Sequence, residues 1–165
     1  MHEKAQSPLQ THPFVHLRVH SEFSVVDGTV RIPELIQRVT ELGQPSVALT
    51  DLSNVFGLIK FYKAARSSGI KPVVGCDVWL SNDEDRDKAT RILLLVATQA
   101  GYLALCQLLT RAWLENAHRG RAEMRREWFE GVQGLIVLSG ARGGDIGQAL
   151  LAGNHALAKS LALSW

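Results

Sequence analysis

The chain has 165 residues and a formal net charge of +2, with 46% hydrophobic and 21% charged side chains. That is the composition of an ordinary globular domain with a real core, and it gives no basic coat of the kind that binds nucleic acid by bulk charge. Residues 1–13 are polar without an apolar h-region, which excludes a secretory signal and reads as a flexible tail; the longest purely apolar run, 92–97, is too short to span a membrane. A soluble, cytoplasmic protein is expected. Cys76 and Cys106 lie far apart in apolar segments and form no CxxC pair, so both are expected as reduced, buried thiols.

Residues 14–20 alternate strictly, with Val15, Leu17 and Val19 on one side and His16, Arg18 and His20 on the other, which predicts a first strand. A turn follows at Asp27-Gly28. A helix over 32–42 has Pro33 and Glu34 in its first turn and Gly43 as its stop. Residues 46–50 form a short apolar strand ending at Asp51, a residue expected to brace the next turn. Asn54 caps a second helix with Val55, Leu58, Ile59 and Tyr62 inside and Gly69 as its stop. A strand over 72–80 precedes a solvated polar run at 81–88, and 92–97 is the next strand. No helix fits between these two strands, which predicts a hairpin.

A long helix follows over 100–118, with Leu103, Leu105, Leu108, Leu109 and Trp113 on or near its apolar side. Residues 118–126 are polar and basic. Arg119, Arg121, Arg125 and Arg126 could touch DNA or a partner, but Glu123 and Glu127 dilute the run, and a solvated loop is the better reading. Residues 134–139 make a fifth strand, the glycines at 140, 143 and 144 make a turn with no phosphate-loop pattern, and helices over 145–151 and 154–163 finish the chain. The element order is that of an α/β fold with a largely parallel sheet.

Four stretches, 14–28, 48–57, 69–77 and 135–140, resemble in order and spacing the PHP (polymerase and histidinol phosphatase) domain of bacterial DNA polymerase III alpha subunits, proteobacterial type. The resemblance implies a distorted (β/α)7 barrel of which residues 14–165 form the first part. In active members, histidines and carboxylates at one end of the barrel hold divalent metals for phosphoester hydrolysis. Here His20, Asp27 and Asp77 stand at ligand positions. Arg18, Leu52 and Arg91 stand where histidines are usual. An arginine stays protonated and a leucine has no lone pair, so the metal site is expected to have decayed. The guanidinium groups are expected to pair with Asp27 and Asp77 in place of the cations.

By the same resemblance, the full-length protein extends a DNA primer on a DNA template, using magnesium in a palm domain outside these residues. This segment needs no cofactor and is not itself catalytic. It supports the structure and docks the proofreading exonuclease subunit, epsilon, while DNA and other holoenzyme subunits meet the rest of the chain. The rival readings are a metal-dependent PHP phosphoesterase or 3′–5′ exonuclease, and a free-standing α/β binding module.

Overall fold

The computed structural model describes residues 14–165; the tail expected at 1–13 lies outside them. Among the described residues, five α-helices and six strands build an α/β fold: α1 (Ile32–Glu41), β1 (Ser46–Leu49), α2 (Leu58–Ser67), β2 (Lys71–Leu80), β3 (Thr90–Val96), α3 (Gln99–Glu115), β4 (Ala117–His118), β5 (Arg121–Met124), β6 (Leu135–Leu138), α4 (Asp145–Leu151) and α5 (His155–Leu163).

The sheet is mixed rather than largely parallel. β2 pairs in parallel with β1 through residues 71–74 and with β5 through Trp79 and Leu80. β2 with β3, β3 with β6, and β4 with β5 are antiparallel. The reversal comes from the expected β2–β3 hairpin, in which Asp77 faces Leu93 and Trp79 faces Arg91. Because side chains alternate across a sheet, Cys76, Val78, Leu80, Ile92 and Leu94 point to the face covered by Leu105, Leu108 and Leu109 of α3. A second core joins Ile32, Ile36 and Val39 of α1 to Val47, Leu49, Phe61 and Ala65. Asp77, Trp79, Arg91 and Leu93 are left on the opposite, concave face.

Several expectations are corrected. Residues 14–20 form no strand; Ala48 N–H and Thr50 N–H donate to the His16 and Val19 carbonyls at 2.8 and 2.9 Å, but Val19 N–H turns to the Thr50 hydroxyl at 2.9 Å and breaks the ladder. Asn54 does not cap α2, which starts after Gly57 without a side-chain cap. Its amide donates instead to the Phe23 and Leu52 carbonyls. The helix is consequently rotated: Leu58, Phe61 and Ala65 are buried, whereas Ile59 and Tyr62 are exposed. Leu103 and Trp113 of α3 likewise face solvent. The polar stretch 118–126 contains β5 and the last residue of β4. Both cysteines are free thiols, Cys76 buried and Cys106 half-buried. Burial pushes the Cys76 thiol pKa well above its ordinary value.

Candidate functional site

The concave face holds a charge cluster centred on Asp77, whose side chain is fully buried. β2 presents this carboxylate, and the neighbouring β3 presents Arg91 two residues along the register. Arg91 grips both oxygens, with Nε to Oδ1 at 3.0 Å and Nη2 to Oδ2 at 2.9 Å. This is the bidentate fork that guanidinium favours over ammonium. The extended segment before Ser21 brings Arg18, which donates from Nε to Asp77 Oδ2 at 2.6 Å. Arg91 also lies 3.7 Å from Asp27. The pairing expected from the sequence is therefore in place, most fully at Asp77.

His20 sits between the two acids, its Nδ1 2.9 Å from Asp27 Oδ1 and its Nε2 3.0 Å from Asp77 Oδ2. Neutral imidazole carries one N–H, so satisfying both ionised carboxylates requires imidazolium. Burial opposes that charge, but the hydrogen bonds to Asp77 and Asp27 outweigh it and raise the His20 pKa above its ordinary value. Burial works against the Asp77 anion too. It is overcome by hydrogen bonds from His20 and Arg91 and by the charges of Arg91 and Arg18, and the carboxyl is held at about 2. Asp27 is lowered for similar reasons: against the cost of burial, His20 and Ser24 hydrogen-bond it.

The turn that delivers Asp27 demands glycine at the next position. A Cβ on Gly28 would lie 1.9 Å from the Ser21 carbonyl oxygen. Asp51 braces this same segment, as expected of a structural residue, but through Ser21 rather than the following turn: it accepts from Ser21 N–H at 2.6 Å and Ser21 Oγ–H at 2.9 Å. Burial raises its pKa. Leu52 makes a β-bridge with Asp77. Its side chain joins Trp79, Val25 and Val26 around an apolar hollow and adds no donor to the cluster.

Sequence reasoning missed a second cluster beside the first. Glu123 on β5 is fully buried. Arg86, from the run expected to be merely solvated, donates to its Oε2 at 3.1 Å, and Arg121 Nη2 lies 3.1 Å from Oε1. Trp79 joins the clusters, with the Arg91 guanidinium 4.6 Å and the Arg121 guanidinium 5.2 Å from its ring centroid. The available signal was the Arg119-Gly120 pair, both at positive φ, a two-residue hairpin turn flanked by the alternating run 121–124. The other basic residues disperse: Arg119 pairs with Asp87, and Arg126 pairs with Asp145.

An α/β chain with this clustered concave face belongs to the PHP domain family, whose profile matches residues 16–165. Among curated proteins it is similar to the DNA polymerase III subunit alpha of Pseudomonas aeruginosa, 46% identical over 153 residues, which covers 92% of this chain and 13% of the relative. The subunit of Escherichia coli K12 is 42% identical over 145 residues, or 87% of this chain and 12% of the relative. The chain thus spans about 13% of the length of the curated relatives it matches. Among solved structures, an amidohydrolase from Chromobacterium violaceum aligns with TM-score 0.48 and 28% identity, covering 59% of this chain and 32% of that one. Among the described residues, no helix is long and apolar enough to cross a membrane.

Proposed function

We propose that this chain is the PHP segment of a replicative DNA polymerase III alpha subunit, serving as structural support and as docking platform for the proofreading exonuclease subunit, with its ancestral metal site replaced by guanidinium–carboxylate pairing. The whole protein would perform DNA-templated DNA synthesis, with magnesium held in a palm domain beyond these residues. The observation that carries the reading is the double arginine grip on Asp77.

The residues present do not fit a divalent cation. Asp77, the best-placed carboxylate, is engaged by Arg18, Arg91 and His20. A metal would have to displace them and lie against two fixed positive charges. Leu52 offers no ligand, and His20, hydrogen-bonded through both ring nitrogens to Asp27 and Asp77, would have to give up one of those partners to bind a metal. In this reading the arginines and His20 neutralise the buried acids as metal ions would, which favours support over hydrolysis as the role of this segment.

The test has two arms. Metal content and hydrolysis of a generic phosphoester and of single-stranded DNA are measured on the full-length subunit, with manganese and zinc supplied. To separate the PHP site from the rest of the subunit, His20→Ala is run in parallel. No stoichiometric metal or hydrolysis that depends on His20 is the expected result. Hydrolysis with stoichiometric metal, both lost in His20→Ala, would replace this reading with a metal-dependent phosphoesterase or 3′–5′ exonuclease. In the second arm, purified exonuclease subunit is titrated against the full-length protein. Absence of binding would defeat the docking role.

A further inference from the structure

Two hollows of about 540 and 480 Å³ adjoin where the loop after β2 meets α4, α5 and the segment around Phe129. Ser81, Asp83 and Arg126 line both, so the two form one continuous groove. Leu80 and Ala149, both buried, floor the first hollow, and Leu157 and Leu161 of α5 wall it. Phe129 and Trp165, edge to face with ring centroids 5.7 Å apart, line the second. Leu157 and Trp165 remain 46% and 42% exposed. Such residues scattered singly need no explanation, but apolar side chains gathered along one groove mark a docking surface.

The lining of the groove is also charged, and with one sign. Asp83 and Glu84 line the first hollow; Asp83, Glu127 and Glu130 line the second. Asn82 fixes the first two at the rim, its Oδ1 accepting from Glu84 N–H at 3.0 Å and Asp85 N–H at 3.3 Å. The cations of the lining are already engaged. Arg126 pairs with Asp145 and stacks 4.3 Å from the Trp165 ring, and Lys88 pairs with Asp85 at 3.0 Å. Glu127 lies 3.8 Å from Arg125. Among the described residues, Asp83, Glu84 and Glu130 have no ion-pair partner. On a chain of net charge +2, these uncompensated carboxylates reverse the sign locally. Among the described residues they do not converge into a group that could hold a metal ion. They repel nucleic-acid phosphates, so what complements them is positive charge spread along a protein.

We propose that this groove takes a basic amphipathic segment of the docked partner protein, a conclusion that rests on the docking role proposed above. Apolar side chains of the segment fill the two hollows, one against Leu157 and Leu161, the other against Phe129 and Trp165. Its Lys or Arg side chains meet Asp83, Glu84 and Glu130, which line the same hollows. The acids set orientation and association rate, and the apolar seats set how long the segment stays.

The test titrates the full-length subunit with purified exonuclease subunit over a series of salt concentrations. Wild type is compared with Ala152→Trp, which fills the first hollow, and with the pair Asp83→Lys and Glu130→Lys. All three positions are exposed, so the variants should fold, as unchanged unfolding midpoints would show. The pair Glu34→Lys and Glu41→Lys on α1, which lines neither hollow, makes the same change in net charge. Ala152→Trp is expected to weaken binding at least about tenfold and to keep its salt dependence. The reversed pair in the groove should slow association at least about tenfold at low salt and flatten its salt dependence, with the α1 pair within about twofold of wild type. Groove variants that bind no differently from the α1 pair would overturn this surface while leaving the docking role intact. Groove variants that bind as wild type but unfold at a lower midpoint would overturn it too, since the subunit itself would then fill the groove. A wild-type subunit that does not bind overturns both.

Discussion

Asp77 and Glu123 are buried acids on adjoining strands, each held by two arginines, yet their surroundings differ. Asp77 is fully matched: Arg91 takes both oxygens, Arg18 and His20 share Oδ2, and the partners Arg91 and His20 are themselves largely buried. Glu123 is not. Arg121 Nη2 lies beside Oε1 but directs its hydrogen bond to the Arg86 carbonyl at 2.8 Å. Among the described residues, Glu123 Oε1 and Arg121 Nε have no hydrogen-bond partner. Both of its arginines, with side chains 36% and 25% exposed, are more open to water than Arg91 at 13%, although Arg18, the outer partner of Asp77, is 41% exposed. Charge pairing is thus tightest around Asp77, and looser where the cluster only fastens a hairpin.

The comparison orders the effects of removing each acid. Asp77→Ala strands the Arg91 guanidinium in a buried site and removes one hydrogen-bond partner of His20, and is expected to cost about 3–5 kcal/mol, read from the urea midpoint at pH 7. Glu123→Ala leaves guanidinium groups that water reaches, and the expected cost is smaller, about 2 kcal/mol. Equal losses in the two variants would mean that exposure of the partners does not set the difference and would break the comparison.

Acid titration isolates the first cluster. The Asp77 carboxyl is lowered from its ordinary 3.8 to about 2, so its stabilisation is present above pH 4 and is lost as pH falls toward 2. The shift corresponds to about 2 kcal/mol. His20 works in the other sense. Its pKa is raised, so its contribution is full below pH 6.5 and fades as pH rises through the raised value. Asp51, raised by burial, opposes both near neutrality and is relieved on acidification. The expected outcome is greatest stability from the Asp77 cluster between about pH 4 and 6.5. In Asp77→Asn the drop in stability between pH 4 and 2 shrinks and the dependence near pH 6.5 weakens, because both rest on the same carboxylate.

The two clusters also differ in how far the sequence disclosed them. Asp77 and Arg91 could be brought together on paper because no helix fits the run 81–88, which forces a hairpin, and the family pattern marked Arg18 and His20 beside them. Glu123 was marked only by the Arg119-Gly120 turn and the short alternation after it. Its strand is four residues long and half charged, so charge alone reads it as loop, and its burial depends on Arg86 arriving from 37 residues earlier. Local signals misled in two further places. The alternation of residues 14–20 is real, and it does set Arg18 and His20 toward Asp77, but the Thr50 hydroxyl takes the backbone bond a strand would need. In α2 the assumed cap at Asn54 put Ile59 and Tyr62 inside. The true start at Leu58 turns Phe61 and Ala65 inward instead and leaves Ile59 and Tyr62 exposed. Tertiary partners, not local propensity, decided each of these positions.

Whether the clusters act as one unit turns on Trp79. Its ring lies between Arg91 and Arg121, so the two guanidinium groups touch the same aromatic from different strands. If the ring only fills space, losses from Asp77→Ala and Glu123→Ala add, as they do for sites with no shared partner. With Trp79 present, releasing Arg91 from Asp77 alters the surface against which Arg121 packs, and a coupling energy of about 0.5–1 kcal/mol is expected in the double-mutant cycle. Repeating that cycle in a Trp79→Leu background removes the shared partner while keeping an apolar side chain at that position. The coupling should then fall toward zero. Coupling that survives the leucine would locate the connection in the β2–β5 backbone pairing of Trp79 with Glu123, and the two clusters would be joined through the sheet rather than through the ring.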